Sequence, residues 1–455
     1  MNSLGAPSLF AAAVAFTACL GSAPTFDFGA IDGGGDDGGG PPPPGIYVSQ
    51  AGSDQHDGKS ADAPMRTFDA AIRAAGAGGY VYLSGLYYDE RIVINASGAS
   101  GKPVTLRPDP AKPGVIDGAQ SDPTGKWSKD DLVLIKGDNL VWDGIEIRNS
   151  PWNGLNIDGH DNTVRRTKIH DIYVQPLTSG GDNTLFEDNE ITNGERCNVN
   201  NSDTQQIVGG GISSRFNNVK QRRSTNFTAR RNKISNTWGV NMAAFHVDVF
   251  EISDNDVAPP TAVGISVDNA SNGVVERNYI HDGKLNSLGF GSLNYPYATT
   301  TVPPHDITWR NNIVHDGGAI VFIRDGTKTY SNLHFIGNTF AGPTLHFDQA
   351  NDGVPTGCEF VDNIFDGSDF TIYANDIGGW TIDHNEWHGT VAPQGTHQLT
   401  ADPVGYVNSD SSAADGLKIK TDSPLAHAGI ARPDLTTDYF GMTRSAPPSI
   451  GAHQP

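Results

Sequence analysis

VVERNYI, residues 274–280, is the stretch whose reading decides the fold. A loosely similar phrase recurs from residue 145 to residue 385. Aligned on the position two before its last apolar residue, it falls at Ile145, Thr167, Asn189, Asn232, Asn255, Asn278, Asn311, Asn338, Asn363 and Asn385, at intervals of 22, 22, 43, 23, 23, 33, 27, 25 and 22 residues. Periods in this range mark a solenoid, and β-branched residues with frequent Gly and Asn make it a β-solenoid rather than a helical one.

A second strand in each coil reads LNID (155–158), ISSR (212–215), VNMA (240–243), ISVD (265–268), LHFD (345–348) and IYAN (372–375). Alternation of this kind sends one set of side chains into a core and the other to an outer face. Leu155, Ile157, Ile212, Val240, Met242, Ile265, Val267, Leu345, Phe347 and Ile372 are therefore expected to stack inside. Asn156, Asp158, Ser213, Arg215, Asn241, Ser266, Asp268, His346 and Asp348 are expected outside.

These strands, with YVSQAGSDQHDGKSADAPMRTFDAAIRAA and GGYVYLSGLYYDERIVINASGASGKPVTLRPDPAKPGVIDGA within residues 47–119, resemble the right-handed parallel β-helix proteins. The N-terminal stretches are similar to those of family 9 pectate lyases and of family 6 alginate and chondroitin lyases. The resemblance implies an all-β chain: one right-handed parallel β-helix of ten or more coils over residues 46–400. It transfers no catalytic residue by position, because the lyase motifs and the Gly-His-Gly of polygalacturonase-like hydrolases have no counterpart.

Within TFDAAIRAAG (67–76), Phe68, Ala71, Ile72 and Ala75 share one face, which predicts a short amphipathic helix plugging the open N-terminal end of the solenoid. Residues 401–455 lack the repeat and read as a C-terminal capping segment. LFAAAVAFTAC (9–19) is too short for a membrane span and reads as an export signal over residues 1–19, with Cys19 as a lipidation site. The Gly- and Pro-rich residues 20–45 read as a disordered tether. Cys197 and Cys358 stand too far apart for a disulfide and read as inert thiols.

A net charge of −21 excludes a nucleic-acid partner. The Asn column reads as a hydrogen-bonded structural ladder, and the pairs His170-Asp171, His281-Asp282 and His315-Asp316 as a repeated turn device rather than catalytic dyads. Chemistry is sought where the period is interrupted, since insertions project as loops beside one face.

The 43- and 33-residue intervals frame a cleft with Ser213, Arg215, Asn241, Ala243, Ser266 and Asp268 as its floor. Its walls are Lys220, Arg222 and Arg223 on one side and Tyr295 and Tyr297 on the other. Residues 195–233 carry a local excess of +6 in this acidic chain. Basic groups beside a groove suit an acidic polysaccharide. The expectation is an exported, monomeric lyase on a uronate-containing chain, touching membrane only through its lipid anchor. Arg215 or Lys220 would serve in catalysis, Arg222, Arg223, Asn241, Ser266, Tyr295 and Tyr297 would bind substrate, and Asp158 and Asp268 would offer oxygens to Ca²⁺. A non-catalytic glycan-binding surface protein and a glycoside hydrolase are the alternatives.

Overall fold

The computed structural model describes residues 41–119, 129–198, 210–259, 263–283, 286–291, 302–316, 320–323, 330–342, 345–348, 355–367, 370–372, 379–389, 395–409 and 412–455. Short strands stack rung upon rung into three parallel sheets of 13, 11 and 12 strands. The first sheet runs from Ile46–Val48 to Trp380–Asp383, the second from Ile92–Ile94 to Phe370–Ile372, and the third from Leu86–Tyr88 to Glu386–His388. Each strand pairs with its equivalent one coil away, so residues 22 to 43 apart in number sit side by side.

The core is the space between the sheets. Val164, Phe186, Ala229, Ile252, Val275, Trp309, Phe335 and Phe360 form one inward column of the first sheet, and all are buried. Ring stacking carries this column and its third-sheet neighbour toward the C-terminal end: Phe335 lies 4.8 Å from Phe360, and Phe365 4.3 Å from Trp387. Leu155, Ile157, Ile212, Met242, Ile265 and Val267 join the same core, as the alternation predicts. Val240 packs instead with Ala243 and Phe245 in a small separate patch. The side chains of Leu345, His346, Phe347, Asp348 and Ile372 lie outside the described residues.

The predicted helix forms over Phe68–Ala75. Thr67 caps it by accepting the Ala70 N–H, Gly76 ends it at φ 68°, and Phe68, Ala71 and Ile72 are buried. Phe68 seats the helix on the first coils through Tyr87 and Trp142. No helix among the described residues is long and apolar enough to cross a membrane.

The Asn ladder runs through Asn189, Asn232, Asn255, Asn278, Asn312, Asn338, Asn363 and Asn385, each side-chain amide donating to the next at 2.8–3.0 Å. The member in the sixth interval is Asn312, not Asn311 as the sequence alignment has it. Asn311 sits one position earlier, in the left-handed turn at φ 53°, and donates to Thr437 O. Asp171, Asp282 and Asp316 hold left-handed turns of their own, and His170 and His281 donate to the first two of them.

Residues 401–455 are expected to cap the end of the solenoid. They run back along its flank, burying Val404, Tyr406, Leu417, Ile419, Leu425 and Ile450 against Tyr279, Ile313, Ala341 and Ile364. Arg432 pairs with Glu359, and Arg444 donates to Asn311 Oδ1 at 2.6 Å.

Candidate functional site

The outer face of the second sheet presents two adjacent polar columns. Register places Asn156, Thr178, Ser213, Ala243 and Ser266 in one, and Asp158, Gly180, Arg215, Phe245 and Asp268 in the next. Apart from Phe245, which packs with Ala243 and Val240, these side chains are polar or small because they alternate with the aliphatic inner set, so the strand pattern that builds the core also builds this face.

Arg215 is its central cation. The guanidinium leaves its own rung, crosses Gly180 and reaches back two rungs to Asp158, with which it makes an ion pair, and to Asn156 Oδ1 at 2.9 and 3.2 Å. Gly180 is required there, since a Cβ would lie 2.8 Å from Arg215 Nη1 and 2.9 Å from Phe216 O. Asp158 is thus engaged by Arg215. Four rungs, roughly 19 Å at a strand spacing of ~4.8 Å, separate it from Asp268, so the two carboxylates expected to offer oxygens to Ca²⁺ cannot share an ion. Asp268 is itself buried, with Ser266 Oγ donating to it at 2.9 Å, and burial pushes its carboxyl up to about 6.

Lys220 and Arg222, expected to line the cleft, instead close on the turn between the second and first sheets. Lys220 Nζ and Arg222 Nη2 each lie 2.7 Å from Asp182 Oδ2, and the Thr225 N–H donates to the same carboxylate at 3.1 Å. Burial alone would raise the Asp182 carboxyl, but the Lys220 and Arg222 bonds outweigh it and hold it below the usual range. Arg223 bonds Ser271 Oγ at 2.8 Å and lies 3.8 Å from Asp248. Beside it, burial first and the Arg223 charge second hold His246 at about 4, a neutral imidazole at physiological pH. Tyr295, Tyr297 and Cys19 lie outside the described residues.

The +6 of residues 195–233 does not survive folding as an excess. Arg230 and Arg231 both pair with Glu187 at 2.8 Å, Arg231 also with Asp188, and Lys233 approaches Asp256. With Asp158, Asp182 and Asp248, every one of these carboxylates comes from a rung outside the basic segment. Charge summed along one coil misses the coils stacked on either side.

Two residues carry signals that the sequence reading used only in part. Asn241 is fully buried, and neither its amide nitrogen nor its oxygen has a hydrogen-bond partner. Glu195 is 1 % exposed with both carboxyl oxygens unbonded, and burial raises its carboxyl well above the usual range despite the nearby Gly239 N–H. Such groups are costly unless something pairs with them. Strand alternation predicts an outward Asn241, and nothing in the local sequence marks Glu195 as buried. A hollow of about 200 Å³ lined by Asn183, Asn226, Thr228, Arg230 and Glu251 lies on the outer face of the first sheet, away from Arg215.

Residues 46–232 match a family model described as the Pel9A-like, right handed beta helix region. Among solved structures, the chain is similar to pectate lyase Pel9A, with a TM-score of 0.50 at 15 % identity over 90 % of this chain and 96 % of that one. It is also similar to XylC in complex with xylose, with a TM-score of 0.52 at 11 % identity over 90 % and 98 %. The fold is a right-handed parallel β-helix. No curated protein matches the chain. The matched segment contains Asn156, Asp158, Gly180, Asp182, Arg215 and Lys220.

Proposed function

We propose that this protein is an exported, polysaccharide-active enzyme that lays its substrate along the outer face of the second sheet and cleaves a uronate-containing chain by β-elimination. The observation that carries the reading is the Arg215 guanidinium laid over Gly180 and fixed by Asp158 and Asn156. A guanidinium fixed in this way is a rigid, always-charged partner for a sugar carboxylate. Neutralising that carboxylate acidifies the adjacent C5 proton, which passes to water or hydroxide in the open groove as the C4 oxygen leaves and takes a proton from solvent. Supporting it, the segment that resembles a pectate-lyase-like family contains all four residues. Arg215 serves here as the neutralising charge and not as the base, because its guanidinium donates to Asp158 and Asn156. Lys220 is likewise engaged, in an ion pair with Asp182. Asn241 and Ser266, expected to bind substrate, are both buried, and Ser266 donates to Asp268. Hydrolysis is the second reading, favoured by the cancelled basic charge and by Asp268, whose carboxyl at about 6 suits proton transfer near neutral pH.

The test is a panel of pectate, alginate, a glycosaminoglycan and a neutral glycan, with and without Ca²⁺, followed at once for unsaturated product and for new reducing ends. Unsaturated product is expected from a uronate polymer. Arg215→Ala and Gly180→Ala should each lose it by about 10²-fold or more, with Lys220→Ala largely active. Reducing ends without unsaturation, abolished by Asp268→Asn, would replace elimination with hydrolysis. Retention on a glycan column with neither product would leave a binding protein.

A further inference from the structure

The last rung carries a cluster that the polysaccharide chemistry does not use. Strand Trp380–Asp383 ends the first sheet, and residues 395–399 close against it, Asp383 pairing in parallel with Thr396. The Thr396 N–H donates to Ile382 O at 3.0 Å and the His384 N–H to Thr396 O at 3.2 Å. This backbone zip brings His384 and His397 to one carboxylate: Nδ1 of His384 lies 2.9 Å and Nδ1 of His397 3.0 Å from the same Asp383 Oδ1. One ligand-capable atom from each residue falls within 4.8 Å of the others. The imidazole centroids are 4.5 Å apart. Asp383 and His384 side chains are mostly buried, whereas that of His397 is 69 % exposed. His384 also sits at φ 50°, in the turn column that Asp254, Arg277, Asn311, Gly337 and Asp362 occupy on other rungs.

We propose that Asp383, His384 and His397 bind one divalent first-row transition ion, Zn²⁺ as the reference case, which clips the closing segment to the last rung. Ligand atoms about 2.0–2.1 Å from a shared ion stand about 2.9–3.4 Å apart at right-angled to tetrahedral geometry, and the two observed separations fall in that window. Two imidazoles with a single carboxylate select a zinc-like ion over calcium, which takes more oxygens. Three protein ligands leave a coordination position for water.

The test uses the full chain, stripped with chelator and titrated calorimetrically with ZnCl₂, with Co²⁺ absorption as a second readout of imidazole coordination. One equivalent of tight uptake and a raised Tm are expected, with Ca²⁺ unable to substitute. His397→Gln removes an exposed side chain whose hydrogen bond goes to Asp383, and should weaken uptake at least tenfold while leaving the zinc-free Tm close to that of the wild type. His384→Asn, which keeps a residue tolerant of the left-handed turn, should do the same. Absence of stoichiometric uptake, or uptake equal in wild type and both variants, would overturn the site.

Discussion

Left-handed turns carry much of this fold one residue at a time, and one of them is filled against its preference. Asn183, Asn226, Val249, Asn272, Asp306 and Asn332 occupy equivalent positions on successive rungs, all at φ between 50° and 61°. Five are Asn or Asp, and several bond along the column, as Asn226 does to Asn183 Oδ1 at 3.0 Å. Val249 is β-branched, 46 % exposed and without an amide to offer. Val249→Asn should therefore stabilise the protein by about 1 kcal/mol in denaturant unfolding, whereas loss of stability would show that Val249 contributes packing of its own. A second residue-scale expectation concerns Asp268. Its folded carboxyl titrates at about 6 against 3.8 when unperturbed, so the native state holds the proton more tightly than the unfolded chain. The stability this gives is present below pH 3.8 and lost as pH rises through 6. Asp268→Asn should thus exceed the wild type by about 2–3 kcal/mol at pH 7.5, with the gap closing by pH 4. A gap independent of pH would mean that Asp268 is ionised throughout.

Among elements, the Asn ladder binds the first-to-third-sheet corner of each rung to the next. Asn278 accepts both the backbone N–H and the side-chain amide of Asn255, and donates to Asn312 Oδ1 and Ile252 O. Asn278→Ala strands these buried partners, and a cost of about 2–4 kcal/mol is expected in equilibrium unfolding. A change near zero would reduce the ladder to a by-product of register. The ladder was legible in the sequence because identical residues at a fixed period need only the coil to bring them together. Its Asn311–Asn312 ambiguity was not, because both residues are Asn and only the backbone decides which lies in the turn and which in the stack. The Arg215–Gly180–Asp158 contact was likewise hidden: the face could be read from alternation, but a side chain reaching back two rungs follows its rotamer and the room a glycine leaves.

For the whole molecule, the C-terminal residues act as a lateral strap. Removing residues 401–455 would uncover Tyr279, Ile313, Ala341 and Ile364 and leave Glu359 without Arg432. With about 1.5–3 kcal/mol for each large apolar side chain buried there, truncation should lower stability by several kcal/mol and promote aggregation, read by thermal unfolding and light scattering. A truncated chain as stable as the full one would make the strap dispensable. The sequence by itself determined the solenoid, its inner and outer faces and the N-terminal plug, since each rests on periodicity and local preference, which a linear string records in full. Only the tertiary structure decided where charge resides: the basic segment is matched by carboxylates from other rungs, and stacking sets each group's neighbours a whole coil away in number. The same stacking decided which polar groups are buried, leaving Asn241 without a partner and Glu195 desolvated, and joining His397 to Asp383 and His384, because proximity across rungs depends on loop lengths and closure that no local pattern encodes.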